Sequence, residues 1–309
     1  MRLAIIGAGA MGSLFGGRLT LAGEEVWLLD TREDQINAIC KNGLVICSDA
    51  GDSVVWPKAT TNPYEIGLVD LVIIFVKSID TCLAARTAQH LLKSDTAVLT
   101  LQNGYGNAEK LAAVLGREKI IVGTTAQGAM LLKPGRVMHS GTGDTHIGNL
   151  SGESTPCLCH LAAMLFQAGF PTYVDEDVTA LIWGKLVINV GINALTAITG
   201  LQNGRLADYE ETKILVDKTV MEAVNVAEAL GVRLPYPEPV AKVLAVARAT
   251  AANRSSMLQD LTYQRLTEID DINGAIVREG AKLGIDTQAN YILTLLVKTF
   301  EKMNRENHQ

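Results

Sequence analysis

The sequence predicts an α/β unit built on a parallel sheet, followed by an all-α unit, and three observations carry that expectation. The first 120 residues alternate between short apolar runs and segments of helical period, the pattern of a parallel sheet covered on both faces. From Asp177 onward nearly every stretch has helical period. Between them lies a β-rich, glycine-punctuated piece, "IIVGTTAQGAMLLKPGRVMHSGTGDTHIGN", in which Lys133-Pro134-Gly135-Arg136 reads as the turn of an antiparallel hairpin. At 309 residues two domains are expected, 1–174 and 175–309, with the boundary near Tyr173 to Asp177.

The chain opens on "MRLAIIGAGAMGSLFGGRL", which admits three readings. As a secretory signal it would offer Arg2, an apolar stretch and small residues for cleavage. As a triphosphate loop it fails, because Ser13 follows Gly12 where GxxxxGK[ST] requires lysine. As a dinucleotide turn it fits: Leu3 to Ile6 reads as a buried strand, Met11 to Ala22 as a helix, and Gly7, Gly9 and Gly12 have the spacing GxGxxG. Gly7 would make the turn, Gly9 would let backbone approach a pyrophosphate, and Gly12 would let the helix pack against the strand. The anion would sit at the helix amino terminus, facing Gly7-Ala8-Gly9-Ala10-Met11-Gly12. A second strand, "EEVWLLD", follows at the distance this unit needs and ends on Asp30.

Further elements continue the alternation. Strands are expected at Val26 to Leu29, Val69 to Val76 and Ala97 to Leu101, and helices at Asp34 to Lys41, Thr81 to Leu92 and Asn107 to Leu115. In the second unit, Leu181 to Ile198, Thr212 to Leu230 and Met257 to Leu283 read as long helices, the middle one ended by "GVRLPYPEP". The polar tail "EKMNRENHQ" reads as a frayed helix end.

Composition narrows the function classes. A net charge of -6 with pI near 5.5 provides no general basic surface for nucleic acid, so an anionic ligand must be held by local groups. The run Leu68 to Val76 is interrupted by Asp70 and is too short to cross a bilayer as a helix, and no membrane anchor is expected. Five cysteines leave one over in any disulfide scheme, so the reduced cytoplasm is the expected compartment. Cys157, Cys159 and His160 lie close in sequence but lack a second ligand pair, and no metal is expected.

Chemistry should gather at the carboxyl ends of the parallel strands. Lys77 stands just past one strand, and Gln102 and Asn103 just past another. In "LIWGKLVINVGINALTAITGLQNGRL" the helix is apolar on nearly every side except at Lys185, Asn189 and Asn193. At about 100° per residue, steps of four drift only about 40°, so these three side chains share a face. Burying them is costly unless partners or a ligand satisfy them, and a cation flanked by amides suits a small anionic carbonyl compound. In "RSSMLQDLTYQRLTEIDDINGAIV", Ser255 and Ser256 stand where helix caps belong, and Glu268 falls within the expected helix.

Taken in order, "GAGAMGSLFGGRL", "VKSIDT", "QNGYGN", "GKLVINVGINALTAITGLQNG" and "SSMLQDLTYQRLTEIDDINGAIV" make the chain resemble the ketopantoate reductases (2-dehydropantoate 2-reductases) over nearly its whole length. The resemblance implies a doubly wound Rossmann-type domain, an all-α domain of the 6-phosphogluconate dehydrogenase C-terminal-like type, and an active site in the cleft between them. It implies reduction of the ketone of 2-dehydropantoate, on the way to pantothenate, by hydride from a nicotinamide. Lys185 matches the family's catalytic lysine and Glu268 its partner carboxylate. Asn103, Asn189, Asn193, Asn203 and Ser256 match substrate-binding positions, Asn103 also lying at the cofactor, and Lys77 matches a lysine beside the cofactor. Ala194 departs from the family, which often has proline there.

On the cofactor the residues and the resemblance diverge. An acid about 20 residues past the glycine turn, here Asp30, ordinarily binds the ribose 2′-OH of NAD(H) and repels a 2′-phosphate. The resemblance favours NADP(H), and Arg32 could turn toward a phosphate. Two alternatives stay open: a related reductase or dehydrogenase of another 2-oxo or 3-hydroxy acid, and a nicotinamide-binding redox sensor without turnover. The expected partner is a small 2-oxo acid. Nothing in the chain sets the oligomeric state, a homodimer being one possibility.

Overall fold

The computed structural model describes residues 1–49, 51–152 and 155–306, and these form two compact units. One comprises Met1–Gln102 and Asn107–Val178, the other Asn103–Gly106 and Thr179–Gln309.

In chain order the first unit contains β1 (Arg2–Ile6), α1 (Ala10–Leu21), β2 (Glu25–Leu29), α2 (Glu33–Asn42), β3 (Leu44–Ser48), β4 (Gly51–Val55), β5 (Lys58–Thr60) and β6 (Val69–Ile74). It continues with α3 (Thr81–Ala88), β7 (Leu92–Thr100), α4 (Asn107–Leu115), β8 (Ile120–Thr125), β9 (Gly128–Lys133), β10 (Arg136–Gly141), β11 (Thr145–Asn149), α5 (Pro156–Gln167) and β12 (Thr172–Val174). The main sheet runs β12-β11-β8-β7-β6-β1-β2-β5. From β8 to β5 its neighbours are parallel, while β11 is antiparallel to β8. This is the doubly wound plan that the alternating periodicities predict. Successive connections leave β1 in opposite directions, first to β2 and later to β6, so the topological switch point lies at β1 and β6. Phe15 anchors the core beneath it, stacked on Phe170 with ring centroids 4.0 Å apart.

Several boundaries differ from the sequence expectation for local reasons. β6 stops at Ile74 rather than Val76: the Phe75 N–H still bonds the Ile6 carbonyl (2.8 Å), but the neighbouring β1 ends there and the chain turns away at Gly7, φ 101°. The helix expected to reach Leu92 ends at Ala88 and closes with a 3₁₀ turn at Gln89–Leu91. Strands β3, β4 and β5 escaped the sequence reading. In β4 all of Gly51 to Val54 is exposed, so the buried-face alternation that marks a strand is missing. β3 and β4 join the expected hairpin of β9 and β10 in a second sheet, ordered β4-β3-β10-β9.

The second unit contains α6 (Val178–Thr199, starting one residue before the division), α7 (Glu210–Ala229), α8 (Pro239–Ala249), α9 (Ser256–Thr262), α10 (Asn273–Leu283) and α11 (Gln288–Glu306). α6 is long and apolar enough to cross a membrane, but 67% of its most apolar window is buried inside the protein. Trp183, Val187 and Val190 pack in one core with Val216 and Val220 of α7, Val243 of α8 and Ile276 of α10. α6 is thus the central helix of this core. The single helix expected over Met257 to Leu283 is broken. Gln264 takes a left-handed φ of 56° just past the end of α9, and the chain re-enters through a 3₁₀ turn at Ile269–Asp271. α11 carries the polar tail as far as Glu306, and residues 307–309 lie outside the described residues.

Candidate active site

In the first unit the glycine turn leaves β1 at the switch point. Gly7 has φ 101°, and a Cβ there would come within 2.7 Å of the Val76 nitrogen. A Cβ on Gly12 would come within 1.8 Å of the Gly7 carbonyl oxygen, so α1 can begin this close to β1 only through glycine. Gly9 is different: a Cβ there would meet nothing within 4 Å. Its freedom from side chain leaves open space in front of the first turn of α1, formed by Ala10, Met11 and Gly12, where backbone N–H groups favour an anion. This cradle fits a dinucleotide pyrophosphate.

Asp30 directly follows β2, with its side chain 11% exposed. It accepts from the Ala8 N–H (2.8 Å) and from the Arg32 N–H (2.9 Å), and it pairs with the Arg32 guanidinium at 3.3 Å. Arg32 remains the more open of the two, at 42%. Lys77 is half-buried three residues past the end of β6, its carbonyl accepting from the Asp80 N–H at 2.8 Å. Gln102, which the sequence groups with Asn103, is a strut: its amide donates to the Val76 carbonyl (2.8 Å) and the Thr81 hydroxyl (2.9 Å).

The second unit assembles the other residues. Lys185 lies on α6 between buried Gly184 and Leu186, and burial pushes its ammonium down to about 8, with the nearby Glu268 carboxylate opposing the shift. Asn189 is half-buried and Asn193 buried on the same helix. Glu268 is buried, but it stands in the irregular link just before the 3₁₀ turn and not in a helix as the sequence suggested. The link lets a carboxylate enter the core without belonging to an apolar helix face.

Asn103 belongs with this unit, although it lies only three residues past β7, and its amide donates to Glu268 Oε2 at 3.3 Å. The loop that carries it is pinned there. The Tyr105 N–H donates to the Asp271 carbonyl (2.8 Å), Arg278 donates to the Tyr105 carbonyl (3.2 Å), and the Tyr105 ring packs against Trp183 at 4.9 Å. A Cβ on Gly104 would come within 2.5 Å of the Asp271 carbonyl oxygen, so the close pass needs glycine. Sequence reading singled out none of Tyr105, Asp271 or Arg278, because a loop reaching a distant backbone carbonyl has no periodic signature.

Ser255 and Ser256 divide the roles that the sequence gave them jointly. Ser255 is the cap of α9, accepting from the Leu258 N–H at 3.1 Å and sharing a 2.7 Å hydrogen bond with Thr196 of α6. Ser256 is exposed at the first helical position and is not the cap. Asn203 opens a 3₁₀ turn, its amide donating to the Thr250 hydroxyl at 3.0 Å. Its Oδ1 is buried with no hydrogen-bond partner among the described residues, an acceptor for which a ligand hydroxyl would compensate. Cys157, Cys159 and His160 are exposed on α5, and among the described residues no group of three metal-binding side chains is gathered.

A doubly wound sheet with a glycine cradle at its switch point, and a helical core presenting a lysine of lowered pKa beside a buried carboxylate, define an NAD(P)H-dependent oxidoreductase. Comparison with known proteins narrows the class. The family model described as ketopantoate reductase PanE/ApbA matches residues 3–152, and the model of the C-terminal part of the same family matches residues 177–301. The chain belongs to the ketopantoate reductase family. The 2-dehydropantoate 2-reductase of Halobacterium salinarum is 38% identical over 279 residues, which are 90% of this chain and 91% of that one. A PanE/ApbA family ketopantoate reductase from Ralstonia eutropha superposes with a TM-score of 0.92 at 36% identity, covering 99% of this chain and 100% of the other. D-mandelate dehydrogenase in its ternary structure with NADH and anilino(oxo)acetate gives the same TM-score at 31% identity, covering 99% of each chain.

Proposed function

We propose that the chain reduces 2-dehydropantoate to pantoate, in the route to pantothenate, with NADPH as reductant. The observation that carries the reading is Lys185: a cation on the central apolar helix, brought down to about 8, with Glu268 beside it. When bound, a reduced nicotinamide would supply the hydride for the ketone carbon. Lys185 gives its proton to the alkoxide oxygen that develops there, which a lysine near its ordinary pKa would do poorly. Glu268 accepts from the substrate hydroxyl and helps orient Lys185, while Asn103 steadies Glu268. Asn189, Asn193 and Ser256 hold the carboxylate and carbonyl through neutral groups, adding no competing charge, while Asn203, whose amide N–H donates to Thr250, offers its Oδ1 as an acceptor for a ligand hydroxyl.

In the first unit, Gly7, Ala8, Gly9, Ala10, Met11 and Gly12 form the pyrophosphate cradle, and Lys77 lies at the cofactor. Arg32, the more exposed member of its pair with Asp30, turns to the 2′-phosphate. NADH is the second reading, favoured by the Asp30 carboxylate, which stands where a ribose 2′-OH is ordinarily bound. A second substrate reading, another 2-oxo acid, is favoured by the equal structural likeness to D-mandelate dehydrogenase.

The test is to mix purified protein with 2-dehydropantoate and either NADPH or NADH and follow loss of the reduced nicotinamide absorbance. Rapid oxidation that needs 2-dehydropantoate supports the proposal, and the better cofactor is the one with higher kcat/KM. No oxidation with either cofactor removes this substrate and leaves other 2-oxo acids to be tried.

A further inference from the structure

The glycine turn is held by more than its glycines. The Ala8 N–H donates to Asp30 at 2.8 Å. The Ala8 carbonyl accepts from the Gln35 amide (2.9 Å), the Ser13 hydroxyl (3.0 Å) and the Arg32 guanidinium (3.3 Å). Three donors on one carbonyl oxygen are unusual in a turn whose task is to present N–H groups.

Gln35 is 0% exposed on α2, and both ends of its amide are used. Its Nε2 also reaches the Ser13 oxygen at 3.1 Å, and its Oε1 accepts from the Gly135 N–H at 2.9 Å. Gly135 is the turn between β9 and β10, and its carbonyl in turn accepts from the Val45 N–H at 2.9 Å. One side chain therefore joins the glycine turn, α2 and the turn of the second sheet.

A trans peptide directs its C=O and N–H to opposite sides. With the Ala8 carbonyl drawn onto the buried Gln35, the N–H of the same peptide, that of Gly9, is directed away from Gln35, and a Cβ on Gly9 would meet nothing within 4 Å. We propose that Gln35 is a positioning residue for dinucleotide binding: it fixes the Ala8–Gly9 peptide so that the Gly9 N–H faces the pyrophosphate. Asp30 and Arg32 also touch Ala8, but they stand where the ribose is read. Gln35, fully buried, acts only through the peptide it holds. An amide that merely satisfied itself in the core would affect stability and nothing else.

The inference rests on the dinucleotide reading of the first unit and not on the identity of the substrate. Its test is therefore direct titration of NADPH and NADH into the protein alone, read by nicotinamide fluorescence, together with melting curves and steady-state kinetics for the wild type, Gln35→Met and Gln35→Glu. Gln35→Met keeps the side-chain length and loses all three hydrogen bonds; Gln35→Glu keeps the acceptor for Gly135 and sets a carboxylate against the Ala8 carbonyl. Both variants are expected to fold and to raise the cofactor Kd and KM about tenfold, the effect of misaligning one charge-assisted hydrogen bond. The kcat at saturating cofactor and the KM for the oxo acid should stay within about twofold, since only cofactor binding is weakened.

A folded Gln35→Met with wild-type Kd overturns the proposal. Loss of folding in both variants also overturns it, since Gln35 would then serve only the core. A wild type that binds neither cofactor removes the dinucleotide reading itself, and this inference with it.

Discussion

The side-chain amide of Asn103 donates to the carboxylate of Glu268 at 3.3 Å, across 165 positions of sequence and within one compact unit. The buried Glu268 acts on a lysine whose own charge burial disfavours, and its carboxylate raises the pKa that burial lowers. The loop from Asn103 to Gly106 thus completes the electrostatic setting of Lys185.

The pH dependence of reduction follows from that setting. Lys185 is protonated, and able to act as the acid, below about 8, and it loses the proton as pH rises through that value. The kcat/KM for ketone reduction should be level on the acid side and fall about tenfold per pH unit on the alkaline side, while oxidation of the alcohol product should gain there. A level profile from about pH 6 to 10 would take the proton-donor role from Lys185. Lys185→Ala should lower kcat roughly a hundredfold or more.

Glu268→Gln gives a signed companion test. The carboxylate raises the Lys185 pKa against the lowering by burial, so its neutral isostere should move the alkaline limb to lower pH. KM for the oxo acid should rise in the same variant if Glu268 accepts from the substrate. A limb that moves upward instead would mean that Glu268 does not act on Lys185 as a charge.

The glycines of the turn separate binding from folding. Gly9→Ala places its methyl in open space, so its thermal stability should stay within about 0.5 kcal/mol of the wild type while dinucleotide affinity falls. Gly12→Ala drives a methyl to 1.8 Å from the Gly7 carbonyl oxygen, and destabilisation of about 3 kcal/mol or failure to fold is expected. Calorimetry and cofactor titration on both variants would check the contrast; equal stability losses would contradict it.

The sequence is legible where structure is periodic or where glycine is obligatory. The first strand, turn and helix, the central α6 and the even spacing of Lys185, Asn189 and Asn193 can all be read in advance, because each follows from a repeat of two or 3.6 residues or from a backbone that must pass close by. Glu268 can be picked out in its stretch, but its role comes only from the resemblance and not from spacing, since the link that carries it lies outside any helix. Gln35 gave no warning at all. It stands beside Ile36 on an ordinary amphipathic helix, and its partners at Ala8 and Gly135 are 27 and 100 positions away. Long-range hydrogen bonding leaves no local pattern.

Cofactor choice should follow the pair Asp30 and Arg32. If Arg32 holds a 2′-phosphate, Arg32→Ala should lower kcat/KM for NADPH by about tenfold or more and change that for NADH little, as loss of a charge-assisted contact to phosphate predicts. An equal loss with both cofactors would instead make Arg32 a brace for Asp30 and the Ala8 carbonyl, to which it already donates at 3.3 Å.

Glu222 offers a stability test remote from the proposed chemistry. Its carboxylate, on α7, accepts from the N–H groups of Ala289 (2.8 Å) and Asn290 (2.9 Å) in the first turn of α11, and from the Asn290 side chain at 2.7 Å. Asn290 is fully buried, and its amide also donates to the Thr219 carbonyl (3.0 Å) and accepts from Asn273 of α10 (2.9 Å). An anion at a helix amino terminus satisfies orphan donors and complements the dipole, and here it also holds α11 to α7. Glu222→Ala leaves those N–H groups without an acceptor and should cost about 1–3 kcal/mol. The melting transition that includes the helical unit should move down, with kcat and KM at low temperature unchanged. Glu222→Gln, which still accepts but carries no charge, should recover part of the loss, and a Glu222→Ala variant that melts with the wild type would show that α11 is held by its apolar face alone.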